Sequence, residues 1–388
     1  MTSALDAHLT DGQRTLLAST AELATTTFAP AAAAGAEGAI NRPLLALLAE
    51  HGLLGRLFTQ EAGAWRSDVS ALDLCLIREG LARGCTEAET AFAVQGLGTF
   101  PLLQSGTREA VEEWLPRIAS GEAVSGFALS EPHAGTDVAA LSLAATADGD
   151  GFRLTGEKIW ISNAPDADVY SVFARTTADA GARGLTAFLV PRDSPGLSGE
   201  HLALLSPHPI GRLVFDGVHV PREYVLGELD GGFRVAMQTL DMFRPSVGGF
   251  AIGMAQAAID ATVAHANKRT AFGRPLKDFQ AVSHRMADIA TRVQAARLLV
   301  HSAASAYDAG IRPTTQAAAM AKLMATEVAQ EAVDAAVQFH GALSLQRGHL
   351  LEHLYREVRA PRIYEGASEI QREIIARALF ALAPKEPA

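Results

Sequence analysis

Cysteine is scarce: the 388 residues include two, Cys75 and Cys85. Both fall in a stretch with helical spacing. They read as packed thiols, not as a disulfide framework or a metal pair, and the count fits a reducing compartment. Positive charge is also short, with 33 Lys and Arg against 43 Asp and Glu and a net charge of −10. That argues against a nucleic-acid surface, although local basic groups can still hold an anionic ligand. No basic-then-apolar leader opens the chain, because Asp6 and Asp11 interrupt it. No run reaches the ~18 uncharged apolar residues of a membrane span. The nearest stretch, 246–259, is short, rich in glycine and alanine, and reads as a closely packed helix. Internal repeats are lacking, and the one low-complexity patch is 31–34. The default expectation is a cytoplasmic enzyme with no nucleic-acid or membrane partner.

The length suffices for two or three packed regions around a large core. Residues 1–120 carry helical-period apolar faces, such as Leu44, Leu45, Leu47 and Leu48, then Leu53, Leu54, Leu57 and Phe58. A further helix is expected over 68–84, and Trp114-Leu115-Pro116 is expected to close another. Near Gly121 the texture changes. Short runs at 124–129, 152–156, 169–174 and 185–190 are β-branched, aromatic or alternating, and Asp148-Gly149-Asp150-Gly151 is a turn signal. Residues 121–232 therefore form a β domain, a small barrel or a sandwich. From Phe233 the helical period returns, with helices expected over 233–267, 278–309, 314–340, 348–359 and 368–381. Pro275 and Pro313 stand in the gaps. The expected fold is mainly α with a central β domain: a helical domain over 1–120, the β domain over 121–232, and a C-terminal four-helix bundle over 233–388.

The chemistry concentrates in Arg362-Ile363-Tyr364-Glu365-Gly366-Ala367-Ser368-Glu369-Ile370-Gln371-Arg372. Ser368 followed by Gln371 is a capping-box pattern, so a helix should start there and Glu365 should sit in the loop before it. Gly366 permits close backbone approach to a ligand. A lone carboxylate beside glycine is otherwise a solvated loop residue. This stretch resembles the C-terminal signature of the acyl-CoA dehydrogenase family, FAD-dependent flavoenzymes that desaturate acyl thioesters. In many members the glutamate of Tyr-Glu-Gly is the base.

Five more stretches resemble the family in the same order. Phe127-Ala128-Leu129-Ser130-Glu131-Pro132-His133-Ala134-Gly135-Thr136-Asp137 is a strand end entering a turn; the resemblance places Phe127, Leu129, Ser130 and Thr136 against flavin and substrate. Gly156-Glu157-Lys158-Ile159-Trp160-Ile161-Ser162 contains a tryptophan that would ordinarily be core; the resemblance sets Trp160, Ile161 and Ser162 against the flavin ring. Asp241-Met242-Phe243-Arg244, expected at the start of a helix, reads as a local helix ion pair, or, by resemblance, as substrate contacts together with Tyr364 and Gly366. Phe243 occupies a position where one branch carries its base, which leaves Glu365 as the matching base. Arg269 reads as a capping cation; by resemblance, Arg269, Phe272 and Gln280 reach the diphosphate or adenine of a flavin held by a neighbouring subunit. The same resemblance makes Gln338, Gly341 and Ala342 the turn that receives adenosine, and Ala367 and Glu369 further flavin positions. Ala342 and Ser344 stand where glycines are common, Ala367 where threonine is common, and Glu369 where glutamine is frequent.

The resemblance implies α,β-dehydrogenation of acyl-CoA, or of an acyl-carrier-protein thioester, to the trans-2-enoyl product. It implies a homo-oligomer, dimer or tetramer, with the flavin at a subunit interface, and an electron-transfer flavoprotein as acceptor. A free carboxylate near pKa ~4.3 is a weak base. Burial should raise it, and the following helix N-terminus opposes that shift. Oxidase or monooxygenase chemistry on the same fold, and a non-catalytic scaffold, are the alternatives.

Overall fold

The computed structural model describes residues 6–61, 64–66 and 69–381. The chain divides into two compact units, Met1–Thr27, Ser70–Thr86 and Asp241–Ala388 against Phe28–Val69 and Glu87–Leu240. The first 120 residues thus contribute to both.

The first unit is helical. It contains Asp11–Leu23, Ala71–Gly84, most of Gly232–Lys268, Gln280–Asp308, Thr315–His340, Leu350–Glu357 and Ser368–Ala381. The C-terminal helices start and stop within about two residues of the sequence expectation. Residue 68, where the second helix was expected to open, lies outside the described residues. Asp308 caps that helix, accepting from the N–H groups of Ala71 and Leu72 at 2.7 and 3.1 Å. A carboxylate there satisfies orphan donors and favours the positive end of the helix dipole. Small residues bring helices close: a Cβ on Gly249 or Gly253 would stand 2.5 Å from the Cys75 carbonyl or 2.4 Å from that of Glu79. Cys75 and Cys85 are free, buried thiols. The helix Gly232–Lys268 is long and apolar enough to cross a membrane, but 67% of its apolar window is buried inside the fold, as in a core helix.

Two local expectations fail. The helix Ser368–Ala381 begins where expected, but not through a capping box. The Ser368 hydroxyl donates to Glu327 at 2.7 Å, and Gln371 Nε2 donates to the Gly366 carbonyl at 2.7 Å. Both side chains are drawn backwards by stronger partners. Asp241 and Arg244 lie within the helix Gly232–Lys268 and not at its start.

The second unit carries helices Arg42–Glu50, most of Thr86–Ser105, and Arg108–Ala119. Arg108–Ala119 runs through Pro116 instead of stopping there. A two-stranded ribbon, Thr59–Glu61 with Ala64–Arg66, was not anticipated; its residues are largely exposed and lack an alternating apolar face. The β domain is one eight-stranded mixed sheet. Its path runs Val225–Leu226, Leu185–Pro191, Val169–Arg175, Ala144–Asp148, Gly151–Ser162, Ile210–Pro221 and Leu197–His201. Ser125–Ala128 lies parallel to Val169–Arg175 in the register Ser125↔Val169. The hairpin at Asp148↔Gly151 turns on Gly149 at φ 59°, as its Asp-Gly pattern requires. Gly151–Ser162 pairs antiparallel with Ile210–Pro221 but shifts register between Lys158 and Ile161. That irregularity positions the site residue Trp160.

Candidate active site

Glu365 is built into a strained turn of the helical unit. It adopts φ 52°, and Gly366 follows at φ 89°. A left-handed conformation costs a non-glycine residue about 1–3 kcal/mol, so the surroundings must enforce it. Lys322, fully buried on the helix Thr315–His340, does so directly: its Nζ donates to the carbonyls of Tyr364 at 3.0 Å and Gly366 at 2.7 Å. Gln371 Nε2 also donates to the Gly366 carbonyl, at 2.7 Å.

The turn sends the carboxylate inward. Glu365 Oε2 is buried with no hydrogen-bond partner among the described residues. Burial pushes the carboxyl above its usual range, and the cations Arg78, Lys322 and Arg244 pull it back only in part. Arg78 is 3% exposed and donates to the Ser246 hydroxyl at 2.7 Å. Arg244 is 6% exposed and pairs with Asp241 at 2.8 Å, so the local ion pair does form. The Arg244 Nε is a second buried group without a partner among the described residues. Tyr364 is half-exposed, Ala367 is partly buried, and Glu369 is exposed at the start of the tail helix. A carboxylate that is desolvated, unpaired and ringed by cations has the character of a base awaiting a proton.

The β unit assembles the second group. Trp160 is not core: it is 54% exposed and sits at φ 62° inside the register shift. A bulge re-aims side chains, and here it turns a flat apolar ring outward. Ile161 is packed in the core and paired with Gly211 of the neighbouring strand; Ser162 beside it is half-buried. The loop after Ser125–Ala128 is fastened to the same strand. Ile159 N–H donates to the Ser130 carbonyl at 3.0 Å, and buried Lys158 donates to the Leu129 carbonyl and to Glu131 Oε1, both at 2.8 Å. Phe127 is half-buried, its ring packing on Phe173 at 5.0 Å, Leu129 is buried, and Thr136 is exposed. Exposed aromatic area with hydroxyls at Ser130, Thr136 and Ser162 fits a flat ring system and its polar edge.

The remaining expected residues gather at the far ends of the helical unit's long helices. Arg269 is exposed just after Lys268, followed by a tight hairpin, Thr270–Ala271 with Arg274–Pro275. Phe272, at its tip, has φ 51° and is 97% exposed. Gln280 opens the next helix and is exposed. Gln338 is exposed near the end of Thr315–His340, where Gly341 turns at φ 64° into exposed Ala342. His265 stacks on His340 at 4.1 Å, which brings the Arg269 and Gly341 regions together.

Four residues in these networks have no role that the sequence motifs assign: Arg78, Lys322, and the pair Lys158 and Glu131. The available signal was a lone lysine in the alanine-rich run around 318–325, and two opposite charges inside apolar motifs.

The helical unit thus carries a desolvated carboxylate oxygen without a partner among the described residues, and the β unit, by itself, an outward aromatic platform with hydroxyls. Three family models match in order: the acyl-CoA dehydrogenase N-terminal domain over residues 10–122, the middle domain over 126–218, and the C-terminal domain over 230–380. Cyclohexane-1-carbonyl-CoA dehydrogenase of Geobacter metallireducens is 37% identical over 356 residues, covering 91% of this chain and 93% of that protein. Butyryl-CoA dehydrogenase from Megasphaera elsdenii superposes with a TM-score of 0.88 at 32% identity, over 96% of this chain and 99% of that one. PigA, solved with FAD and proline, superposes at 0.89 with 26% identity, over 97% and 99%. The chain belongs to the acyl-CoA dehydrogenase family. Its reaction class is acyl-CoA dehydrogenation and its cofactor is FAD.

Proposed function

We propose that Glu365 is the base that removes the α-proton of an acyl-CoA thioester, giving the trans-2-enoyl-CoA. The observation that carries this reading is the buried Glu365 Oε2 without a partner, on a turn held in a left-handed conformation. Bound FAD supplies the acceptor for the β-hydride. The β-unit residues Phe127, Leu129, Ser130, Thr136, Trp160, Ile161 and Ser162 hold the flavin end of the cofactor. The raised basicity of Glu365 narrows the gap to a weakly acidic carbon. No described residue accepts from the Glu365 N–H, which is therefore available to the thioester oxygen as negative charge develops there. Arg244, Asp241, Tyr364 and Gly366 contact the substrate beside it.

The exposed Phe272 supports a homo-oligomer, dimer or tetramer. Arg269, Phe272 and Gln280 then reach the flavin of a neighbouring subunit, Gln338, Gly341 and Ala342 receive adenosine, and Ala367 and Glu369 are further flavin contacts. Phe272→Asp is expected to lower the oligomeric mass in light scattering and to release FAD. An unchanged mass with full FAD would remove that interface. Buried reduced thiols at Cys75 and Cys85 fit a cytoplasmic enzyme.

The deciding test adds a panel of acyl-CoAs to the purified protein without oxygen and follows the visible flavin band. Bleaching by one acyl-CoA, with faster reoxidation by an electron-transfer flavoprotein than by air, is the expected result. A flavin band that no acyl-CoA bleaches would direct the reading to a carrier-protein thioester. Faster reoxidation by oxygen would direct it to an oxidase.

A further inference from the structure

We propose that Lys322 is the positioning residue of the catalytic turn, its ammonium clamping the carbonyls on either side of Glu365 so that the carboxylate is held inward. The inference rests on Glu365 being the base.

The placement is costly, and the fold alone does not call for it. The helix Thr315–His340 buries an alanine-rich face, including Ala318, Ala319, Ala321, Ala325 and Ala329. Its packing uses small apolar residues, and an ammonium among them needs compensation for lost water. The compensation comes from the turn itself, through the carbonyls of Tyr364 and Gly366 at 3.0 and 2.7 Å. These two residues flank Glu365. The two clamped peptide planes bracket Glu365 and Gly366, the consecutive residues at φ 52° and 89°, and so restrain the left-handed turn from both ends. Gln371 reinforces the same face, donating to the Glu365 carbonyl at 3.4 Å as well as to Gly366. Three carbonyls thus point towards donors, and the turn has one backbone geometry.

The same ammonium acts on the carboxylate as a charge. Glu365 is the anion that acts most strongly on Lys322, with Glu327 and Glu369 weaker in the same sense and Arg244 opposed. Arg78 and Arg244 are the other cations acting on Glu365, and Asp241 offsets Arg244. Burial sets Lys322 itself at about 8. Lys322 is therefore a clamp on the backbone and part of the field on the side chain.

Lys322→Met and Lys322→Gln separate this role from a merely structural one. Both variants are expected to fold and to keep FAD. Their kcat should fall by about 10²-fold, with KM for acyl-CoA changed by no more than a few-fold, as for a reacting group displaced by about an ångström. The acid limb of kcat/KM should move up by roughly one pH unit, because a cation near a carboxylate favours its charged form. Substrate deuterated at the α-carbon should show a larger isotope effect than in the unaltered enzyme. Full kcat and an unmoved acid limb in either folded variant would overturn the proposal. Loss of folding in both would overturn it too, since the charge would then serve the fold and not the turn. Failure of the base assignment is read separately, from Glu365→Gln: retained turnover there removes the base, whereas an inactive Glu365→Gln beside a fully active Lys322→Met removes only the clamp.

Discussion

Glu365→Gln is expected to lower kcat by about 10²- to 10⁴-fold, the usual contribution of a positioned general base, with FAD retained. The amide keeps the shape of the side chain and the left-handed turn that Lys322 and Gln371 hold through backbone atoms. It removes only the proton acceptor. Stability should move in the opposite direction. Burial raises the Glu365 carboxyl above its ordinary value of 4.5. The folded state therefore binds this proton more tightly than the unfolded chain. That contribution is fully present below the unfolded value and is lost as pH rises through the folded one. Near neutral pH the ionised carboxylate is a burden on the fold that the amide lacks. The thermal midpoint of the variant, relative to the unaltered enzyme, should rise between pH 5 and pH 7.5. A relative midpoint that falls over that interval would show the carboxylate to be stabilised where it sits, and the base assignment would lose its physical basis. In kcat/KM, the acid limb of the unaltered enzyme should lie above the ordinary carboxylate range.

The legible parts of the molecule are those with a period or a punctuation mark. Helices such as Gln280–Asp308 and Thr315–His340 could be read from apolar spacing interrupted by Pro275 and Pro313. The hairpin at Asp148-Gly149-Asp150-Gly151 could be read because a two-residue turn needs positive φ, and glycine supplies it. Glu365 could be placed before a helix. The side-chain bonding could not be read at the same spot: Ser368 and Gln371 have the capping-box spelling, yet each found a partner distant in sequence or behind it. Trp160 reads as core in any strand pattern. Only a bulge, which one sequence position cannot announce, turns it outward. The ribbon at Thr59–Glu61 has no apolar face to betray it. Lys322 was invisible for a related reason. A single lysine in an alanine-rich helix has the spelling of a solvated residue, and what it clamps lies more than forty residues away in the chain.

Lys158→Met is the corresponding experiment on the β unit, and its effect should be on stability first. Lys158 and Glu131 are 0% and 2% exposed, and they meet at 2.8 Å. Burial pushes the Glu131 carboxyl up, but the Lys158 ammonium and the N–H groups of Ser142 and Leu143 hold it below the usual range. Removing the lysine leaves that carboxylate desolvated and short of its main partner. Breaking a buried pair in this way costs about 3–5 kcal/mol. It also frees the Leu129 carbonyl, which Lys158 ties to the Trp160 strand. The loop carrying Ser130 and Thr136 then keeps the Ile159 N–H bond to the Ser130 carbonyl but loses the Lys158 tie, which loosens its place beside Trp160. The variant should melt well below the unaltered enzyme and purify with a reduced ratio of flavin to protein absorbance. A second substitution separates charge from anchoring. In Lys158→Met with Glu131→Gln the unpaired charge is gone, so most of the lost stability should return. The anchor to Leu129 is still missing, so flavin retention should remain low. If the double variant regains both, the pair matters only as a charge balance. If the single variant melts normally, Glu131 is satisfied by Ser142 and Leu143 alone, and Lys158 does not hold the loop.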